Sequence, residues 1–155
     1  MIVAVADTGP LIHLDEIGAI NLLSAVDGLL IPQTVYKELK AGTVPPALSN
    51  LEYEIVEADT TELTVDLDPG ETAALAVATE RSAVLLTDDL EARDAANDLS
   101  IEVHGSIGVI VLAYHRDQLT KPKAAELMRT LQTETSLFIT DAVVEQGIAL
   151  LENSS

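Results

Sequence analysis

The sequence predicts an α/β protein of three layers, in which helices cover both faces of a central, mainly parallel sheet. Short apolar runs rich in Val, Ile and Leu alternate with helical segments, which is typical of parallel strands joined by helices. Hydrophobic residues form 48% of the chain, and most are Ala, Val, Leu and Ile, which suit buried strands with closely packed helices. Since 155 residues without a repeat or linker fit one core, we expect a single domain over residues 1–155.

The first half of the chain contains two clear strands. Residues 1–6 form an apolar run that ends at Asp7, and Thr8 can cap a helix with Pro10 in its first turn. We predict helical segments over 11–14 and 17–26, a strand over 29–31 and a helix from 32 to about 40. Residues 54–56 and 63–65 are weaker predictions, a strand and an approach loop.

The second half repeats the pattern of strand and helix. Asp68-Pro69-Gly70-Glu71 predicts a helix start with a capping box, and the helix extends to about residue 81. A strand over 83–86 ends at Thr87-Asp88-Asp89 and is followed by a helix over 90–98 and a strand over 101–103. Further helices are predicted over 107–115, 122–133 and 141–151.

The charge balance is strongly acidic, with 26 acidic residues against 8 Lys and Arg and a net charge of −18. Proteins that bind nucleic acid through many phosphates usually cluster their cations, and here the cations are scattered. We interpret the acidity as that of a halophile, whose salt-rich cytoplasm screens self-repulsion. The absence of cysteine excludes disulfides and thiolate metal sites. With no membrane-length apolar run and no signal-peptide pattern, we expect a cytoplasmic protein without membrane contact.

Acidic residues that follow strands are the candidate functional groups, because open α/β sheets bind ligands at the carboxyl ends of their strands. Asp7 follows the first strand. It could simply cap the next helix, but Thr8 can do so and would leave Asp7 free to face the sheet edge. Asp88 and Asp89 repel each other unless a cation is near; one is expected to cap the following helix and at least one to serve the site.

Two glutamates extend this acidic set. Glu71 could act only in the capping box, yet it precedes a buried stripe of Ala74, Leu75 and Ala78 and so is expected to point towards the sheet. Burial of that charge is costly unless a metal ion or a partner compensates it. Glu38 lies beside Val35 at the rim of an apolar helix face, where it could also be an ordinary solvated residue.

Carboxylates on several elements form an oxygen-rich set that suits Mg²⁺ or Mn²⁺. Such an ion polarises a phosphodiester, activates water and stabilises the leaving oxygen. Thr8 could orient Asp7 through its hydroxyl group. Arg93, one turn beyond Asp89, could form a helix ion pair or hold a carboxylate or phosphate. The three histidines lack metal-ligand spacing and are expected to be structural or on the surface.

Four motifs in order resemble the PIN-domain family, in particular its small prokaryotic members related to VapC-type toxin ribonucleases. They are Asp7-Thr8-Gly9-Pro10-Leu11-Ile12, Pro32…Val35…Glu38-Leu39, Pro69-Gly70-Glu71…Ala74…Ala78 and Leu85-Leu86-Thr87-Asp88-Asp89…Ala92-Arg93…Ala96. The segment His104-Gly105-Ser106-Ile107-Gly108-Val109 is also similar to that subgroup, and the resemblance covers nearly the whole chain.

The resemblance implies specific roles. Asp7 matches the family's first metal-binding Asp and Glu38 its helix Glu, whereas Glu71 stands where many members carry Asp. For the fourth position, the family's Thr-x-Asp pattern selects Asp89, while the close subgroup points to Asp88. The implied activity is Mg²⁺- or Mn²⁺-dependent endonucleolytic cleavage of RNA, often by the toxin of a toxin–antitoxin pair and often by a homodimer.

Two other functions compete with this one. A non-catalytic PIN-like domain that binds a partner protein would suit the acidic surface, although it would have no reason to retain buried like charges. A phosphoryl-transfer protein is disfavoured, because Asp7 is not part of an Asp-x-Asp motif and no basic residue ends a late strand.

Overall fold

The computed structural model describes residues 1–152 and has a five-stranded, all-parallel sheet. Its strands are β1 (Val3–Ala6), β2 (Gly28–Pro32), β3 (Glu54–Val56), β4 (Val84–Leu86) and β5 (Val103–His104). The order across the sheet is β3-β2-β1-β4-β5, with Val5 paired in register to both Leu30 and Leu85. The predicted α/β class with a mainly parallel sheet is confirmed.

Seven α-helices and two short 3₁₀ helices in the described residues connect and cover these strands. The α-helices are α1 (Thr8–Glu16), α2 (Gln33–Ala41), α3 (Pro69–Arg81), α4 (Leu90–Asp98), α5 (Ser106–His115), α6 (Lys121–Glu134) and α7 (Asp141–Glu152). The 3₁₀ helices cover Ile20–Ala25 and Pro46–Asn50. No helix among residues 1–152 is long and apolar enough to cross a membrane.

Two hydrophobic cores lie on opposite faces of the sheet. Alternate residues of β1 divide between them, because successive side chains of a strand point to opposite faces: Ala4 and Ala6 join one core and Val5 the other. The larger core packs against α1, α2, α5, α6 and α7, and the smaller one packs against α3 and α4. This arrangement confirms the three layers.

Several sequence-based boundaries differ from the structure. Strand β5 begins two residues later than predicted, at Val103, whereas residues 63–65 form a loop as predicted. The first helix begins at Thr8 because Asp7, rather than Thr8, is its N-cap. The predicted domain also includes residues 153–155, which lie outside the described residues.

The strand order places a topological switch point between β1 and β4. From β1 the chain proceeds through β2 to β3 on one side, and it returns to add β4 and β5 on the other. The loops after β1 and β4 therefore leave the sheet in opposite directions, which opens a crevice at their carboxyl ends. Asp7 follows one of these strands, and Thr87, Asp88 and Asp89 follow the other.

Candidate active site

Asp7 lies buried at this switch point, with 5% of its surface exposed. Its Oδ1 accepts a hydrogen bond from the Thr8 backbone N–H (2.8 Å), and its Oδ2 accepts one from the Thr87 hydroxyl group (2.9 Å). The backbone N–H of Asp7 donates to Leu86 O (2.9 Å), which joins the two strand ends. Asp7 thus caps α1 and also lies at the sheet edge. From the sequence alone, these two roles were alternatives.

Burial raises the pKa of Asp7 to about 6, against the lowering effect of its two hydrogen bonds. The negative charges of Asp68 and Asp89 make smaller contributions in the same direction, and the value of about 6 includes them. A buried carboxylate among like charges is stabilised by any cation that reaches it. Its environment therefore favours either a bound proton or a metal ion.

Glu71 and Asp89 face each other across the switch point. Asp89 is the N-cap of α4 and accepts from the Ala92 N–H (2.9 Å). The pKa of Glu71 is raised to about 8, mainly by desolvation and next by a hydrogen bond between the Glu71 and Asp89 carboxyl groups, which stabilises the protonated form. The predicted capping box is confirmed: Asp68 Oδ1 accepts from Glu71 N (2.7 Å), and Glu71 Oε1 accepts from Asp68 N (3.3 Å).

Glu38 extends from α2 over the first turn of α3. A Cβ atom on Gly70 would overlap the Glu38 carboxylate, so glycine at this position leaves room for it. Partial desolvation raises the pKa of Glu38, with smaller contributions from the charges of Asp68 and Asp7. Glu38 therefore belongs to the same electrostatic cluster, although much of its surface is exposed.

Asp68 is the member of the cluster that sequence reasoning missed. Its charge raises the pKa values of Asp7, Glu38 and Glu71 together, so it lies close to all three. The sequence indicated only a helix cap, and that role is also present. The available signal was its place in Asp68-Pro69-Gly70-Glu71, where a cap at the start of α3 faces the same crevice as Glu71.

Asp88 is held by other contacts. Its Oδ1 accepts from the Ser106 N–H (2.6 Å), and its Oδ2 accepts from the Ser106 hydroxyl group (2.6 Å) and from His13 Nδ1 (2.8 Å). Ser106 is fully buried, and the Asp88 side chain is only 7% exposed. Asp88 therefore joins α1, the end of β4 and the start of α5, and its charge is not among those that raise the pKa of Asp7 or Glu71.

Two expected supporting contacts differ from the prediction. The Thr8 hydroxyl group is buried without a hydrogen-bond partner, so it does not orient Asp7; the Thr8 backbone N–H and the Thr87 hydroxyl group do. The predicted helix ion pair of Arg93 is wrong: within residues 1–152, no acidic side chain lies within 4.0 Å of its guanidinium group. His13 is structural, as expected, through Asp88.

The donor set fits Mg²⁺ or Mn²⁺ by its chemistry, since every member is a carboxylate oxygen. In the described part of the chain, no three carboxylate or imidazole side chains are already arranged to hold a metal ion. Internal hydrogen bonds occupy part of the cluster instead, above all the one between Glu71 and Asp89. A divalent cation could replace the proton of that pair and neutralise the remaining charges.

The chain was compared with protein families, curated proteins and solved structures. A family model described as PIN domain matches residues 3–153. No curated protein matches the chain. Among solved structures, the fold is similar to that of a PilT N-terminus domain protein, SSO1118, from the hyperthermophilic archaeon Sulfolobus solfataricus, with a TM-score of 0.60 and 21% identity. That match covers 72% of this chain and 93% of the other. The family model covers nearly the whole sequence, and the chain therefore belongs to the PIN-domain family.

Proposed function

We propose that this protein is an endoribonuclease that hydrolyses RNA phosphodiester bonds with Mg²⁺ or Mn²⁺. One observation carries the proposal: carboxylates from separate elements meet at the switch point of the sheet. They are Asp7 after β1, Glu38 on α2, Asp68 and Glu71 at the start of α3, and Asp89 at the start of α4. Like charges gathered in this way repel each other unless protons or a cation compensate them, and a divalent cation can compensate several at once.

Membership of the family supports the general chemistry. PIN domains are commonly nucleases, generally use divalent metal ions and generally bind nucleic acids. The restriction to RNA and the dependence on Mg²⁺ or Mn²⁺ are our proposals for this chain.

We assign Asp7, Glu71 and Asp89 as the residues that would hold the metal ion. Glu38 and Asp68 would add negative charge nearby and so attract the cation. When bound, the ion would polarise the scissile phosphate and lower the pKa of a water molecule. Thr87 and the Thr8 N–H orient Asp7 by donating to its two oxygens. Asp88 acts as a positioning residue, because its hydrogen bonds to Ser106 and His13 fix the loop that carries Asp89.

The biological setting is part of the same proposal. We propose a cytoplasmic homodimer that acts as the toxin of a toxin–antitoxin pair and is inhibited by an antitoxin protein. A neighbouring reading frame that encodes a small antitoxin-like protein would support this setting. Its absence, together with no toxicity on expression, would contradict the toxin role but not the nuclease activity.

A non-catalytic domain that binds a protein partner is the second candidate, favoured by the net charge of −18, which opposes contact with phosphates. The two functions differ in their response to metal. A nuclease site should gain stability as Mn²⁺ is titrated, because the ion binds the folded state. A melting temperature that does not respond to Mn²⁺ would favour the second candidate.

The direct test is the Asp7→Asn variant. It keeps the size of the side chain and one acceptor oxygen for the Thr8 N–H, while its NH2 group can donate to the Thr87 hydroxyl oxygen. Because the charge is removed, we expect Mn²⁺-dependent cleavage of single-stranded RNA to be lost while the fold persists. Asp94→Asn, an exposed change on α4, is the matched control and should cleave like the wild type. Unchanged cleavage by Asp7→Asn would remove Asp7 from the mechanism.

A further inference from the structure

A groove of about 340 Å³ lies next to the chain segment that carries Asp89, and its lining differs in chemical character from the acidic cluster. The start of α4, the start of α5, the loop before α7 and α7 itself line it, and its members include Leu90, Arg93, Ser106, Phe138, Thr140 and Gln146. Asp88 is one of its lining residues and directly precedes Asp89 in the chain. The groove is therefore close in the chain to a residue of the candidate active site.

Arg93 is a cation available for a ligand in this groove. The residue is half-buried and, within the described residues, its guanidinium group has no hydrogen bond or ion pair, although the chain has 26 acidic residues. The other ionisable side chains lining the groove have partners: Asp88 accepts from Ser106 and His13, and His104 Nε2 lies 2.9 Å from Glu102 Oε2. The guanidinium group is thus the free positive charge of this surface.

The side chains of Arg93 and Asp88 both lie close to Gly105. A Cβ atom at this position would lie 2.6 Å from Asp88 Oδ1 and 3.1 Å from Arg93 Nη1. Both groups therefore approach the same point, and glycine leaves room for them. The positive charge of Arg93 therefore lies close to the segment Thr87–Asp88, which precedes Asp89.

Phe138 provides the second feature. It is the chain's only phenylalanine, and it is 89% exposed at this groove, although the chain buries most of its large apolar side chains. A solvated aromatic face beside an unpaired arginine is the combination that binds single-stranded nucleic acid, by base stacking and by phosphate contact. A duplex keeps its bases stacked inside and offers none to a single aromatic side chain.

We propose that Arg93 and Phe138 form a nucleotide subsite for single-stranded RNA, in which Arg93 binds a backbone phosphate and Phe138 stacks on a base. The inference rests on the proposed nuclease function and specifies how its substrate is held. It also explains how a protein with net charge −18 contacts RNA: the strand follows a groove that is lined by both an unpaired arginine side chain and an exposed aromatic side chain.

The test compares Phe138→Ala, Phe138→Trp and Arg93→Gln in steady-state cleavage of a labelled single-stranded RNA with Mn²⁺, and in binding of that RNA measured by fluorescence anisotropy in EDTA. We expect Phe138→Ala and Arg93→Gln to raise KM about fivefold or more with little change in kcat, since stacking and phosphate contacts act mainly on binding. Phe138→Trp, which keeps an aromatic ring, should have a KM close to that of the wild type. Arg93→Gln should lower the slope of log Kd against log salt concentration by about 0.7, while Phe138→Ala should leave it unchanged.

Arg129→Gln is the matched control, because Arg129 is exposed on α6 and does not line the groove. Wild-type KM in both groove variants, or equal binding of single-stranded and duplex RNA, would overturn the subsite and leave the nuclease proposal intact. A change of oligomeric state in Phe138→Ala without a change in KM would identify the groove as a protein interface instead. A wild-type protein that cleaves no RNA would overturn both proposals.

Discussion

At the scale of single residues, Asp88 and Asp89 show how adjacent acids acquire different tasks. Both follow β4, and both are hydrogen-bonded, but their partners differ. Asp88 accepts three hydrogen bonds from Ser106 and His13, whereas Asp89 accepts from the first turn of α4 and faces Glu71. One carboxylate is compensated within the fold, and the other contributes to an uncompensated cluster.

This difference predicts opposite effects for two matched substitutions. Asp88→Asn should lower the free energy of unfolding by about 2 kcal/mol, because it weakens hydrogen bonds to a buried charged group, and it should retain stabilisation by Mn²⁺. Asp89→Asn should keep most of the stability, since Asn caps a helix as well as Asp does, but it should lose cleavage and the response to Mn²⁺. Urea denaturation and melting curves with and without Mn²⁺ measure both effects. A response to Mn²⁺ that disappears in Asp88→Asn and persists in Asp89→Asn would show that Asp88, and not Asp89, binds the metal ion.

Thr87 lowers the pKa of Asp7. Its hydroxyl group donates to Asp7 Oδ2 and thereby lowers a pKa that burial has raised to about 6. In Thr87→Val the donor is absent and the pKa of Asp7 should rise further, so the acidic limb of the pH–activity profile should move to higher pH. Thr133→Val, on the exposed face of α6, is the control. An unshifted profile would show that the charge of Asp7 does not limit activity.

At the scale of elements, the contact between α2 and α3 determines where Glu38 stands. Gly70, in the first turn of α3, leaves space for the Glu38 carboxylate. In Gly70→Ala the new methyl group should displace this flexible side chain at little cost in stability, because Ala favours the helix by about 0.5–1 kcal/mol over Gly.

Gly70→Ala should therefore reduce cleavage about as much as Glu38→Ala, and the double variant should be no worse than either one. This non-additivity in kcat/KM is the expected signature of two changes that act through one carboxylate. If the two losses multiplied instead, Gly70 would act on the site independently of Glu38.

The elements also show how far the sequence carries a prediction. Asp7 and the Asp88/Asp89 pair could be located because an apolar run that ends in an acid identifies the end of a buried parallel strand. Asp68 was missed because a local rule, the capping box, already explained it, and only the packing of α3 against the switch point shows its second role. The pairing of Asp88 with Ser106 and His13 joins residues 18 and 75 positions away, and no local pattern encodes such contacts.

At the scale of the whole molecule, the net charge of −18 predicts a dependence on salt. Self-repulsion destabilises the compact state, and at 1 M salt the screening length falls to about 3 Å. We expect the melting temperature to rise steadily between 0.1 and 2 M KCl, and cleavage to be greatest at high salt if the protein comes from a salt-rich cytoplasm. An activity optimum at low salt would contradict that origin.

The acidic cluster also predicts an inverse dependence of stability on pH in the absence of metal. The pKa values of Asp7 and Glu71 are raised in the folded state to about 6 and about 8, above the values of about 4 expected in the unfolded chain. The folded state therefore binds more protons than the unfolded state over this interval, and its stability falls as pH rises. The contribution of these groups is complete below about pH 4 and is lost as pH rises through 6 and 8.

In EDTA we expect the melting temperature to be lower at pH 8.5 than at pH 6, with a smaller decrease in Asp7→Asn than in Asp94→Asn. Mn²⁺ at about 100 times its Kd should restore about 2.7 kcal/mol, or roughly 5–10 °C, at pH 8.5, and should do less at pH 5, where protons compete for the same oxygens. A melting temperature in EDTA that rises between pH 6 and 8.5, or an Mn²⁺ effect that is equal at both ends of the pH range, would show that these carboxylates are not the site where the cation binds.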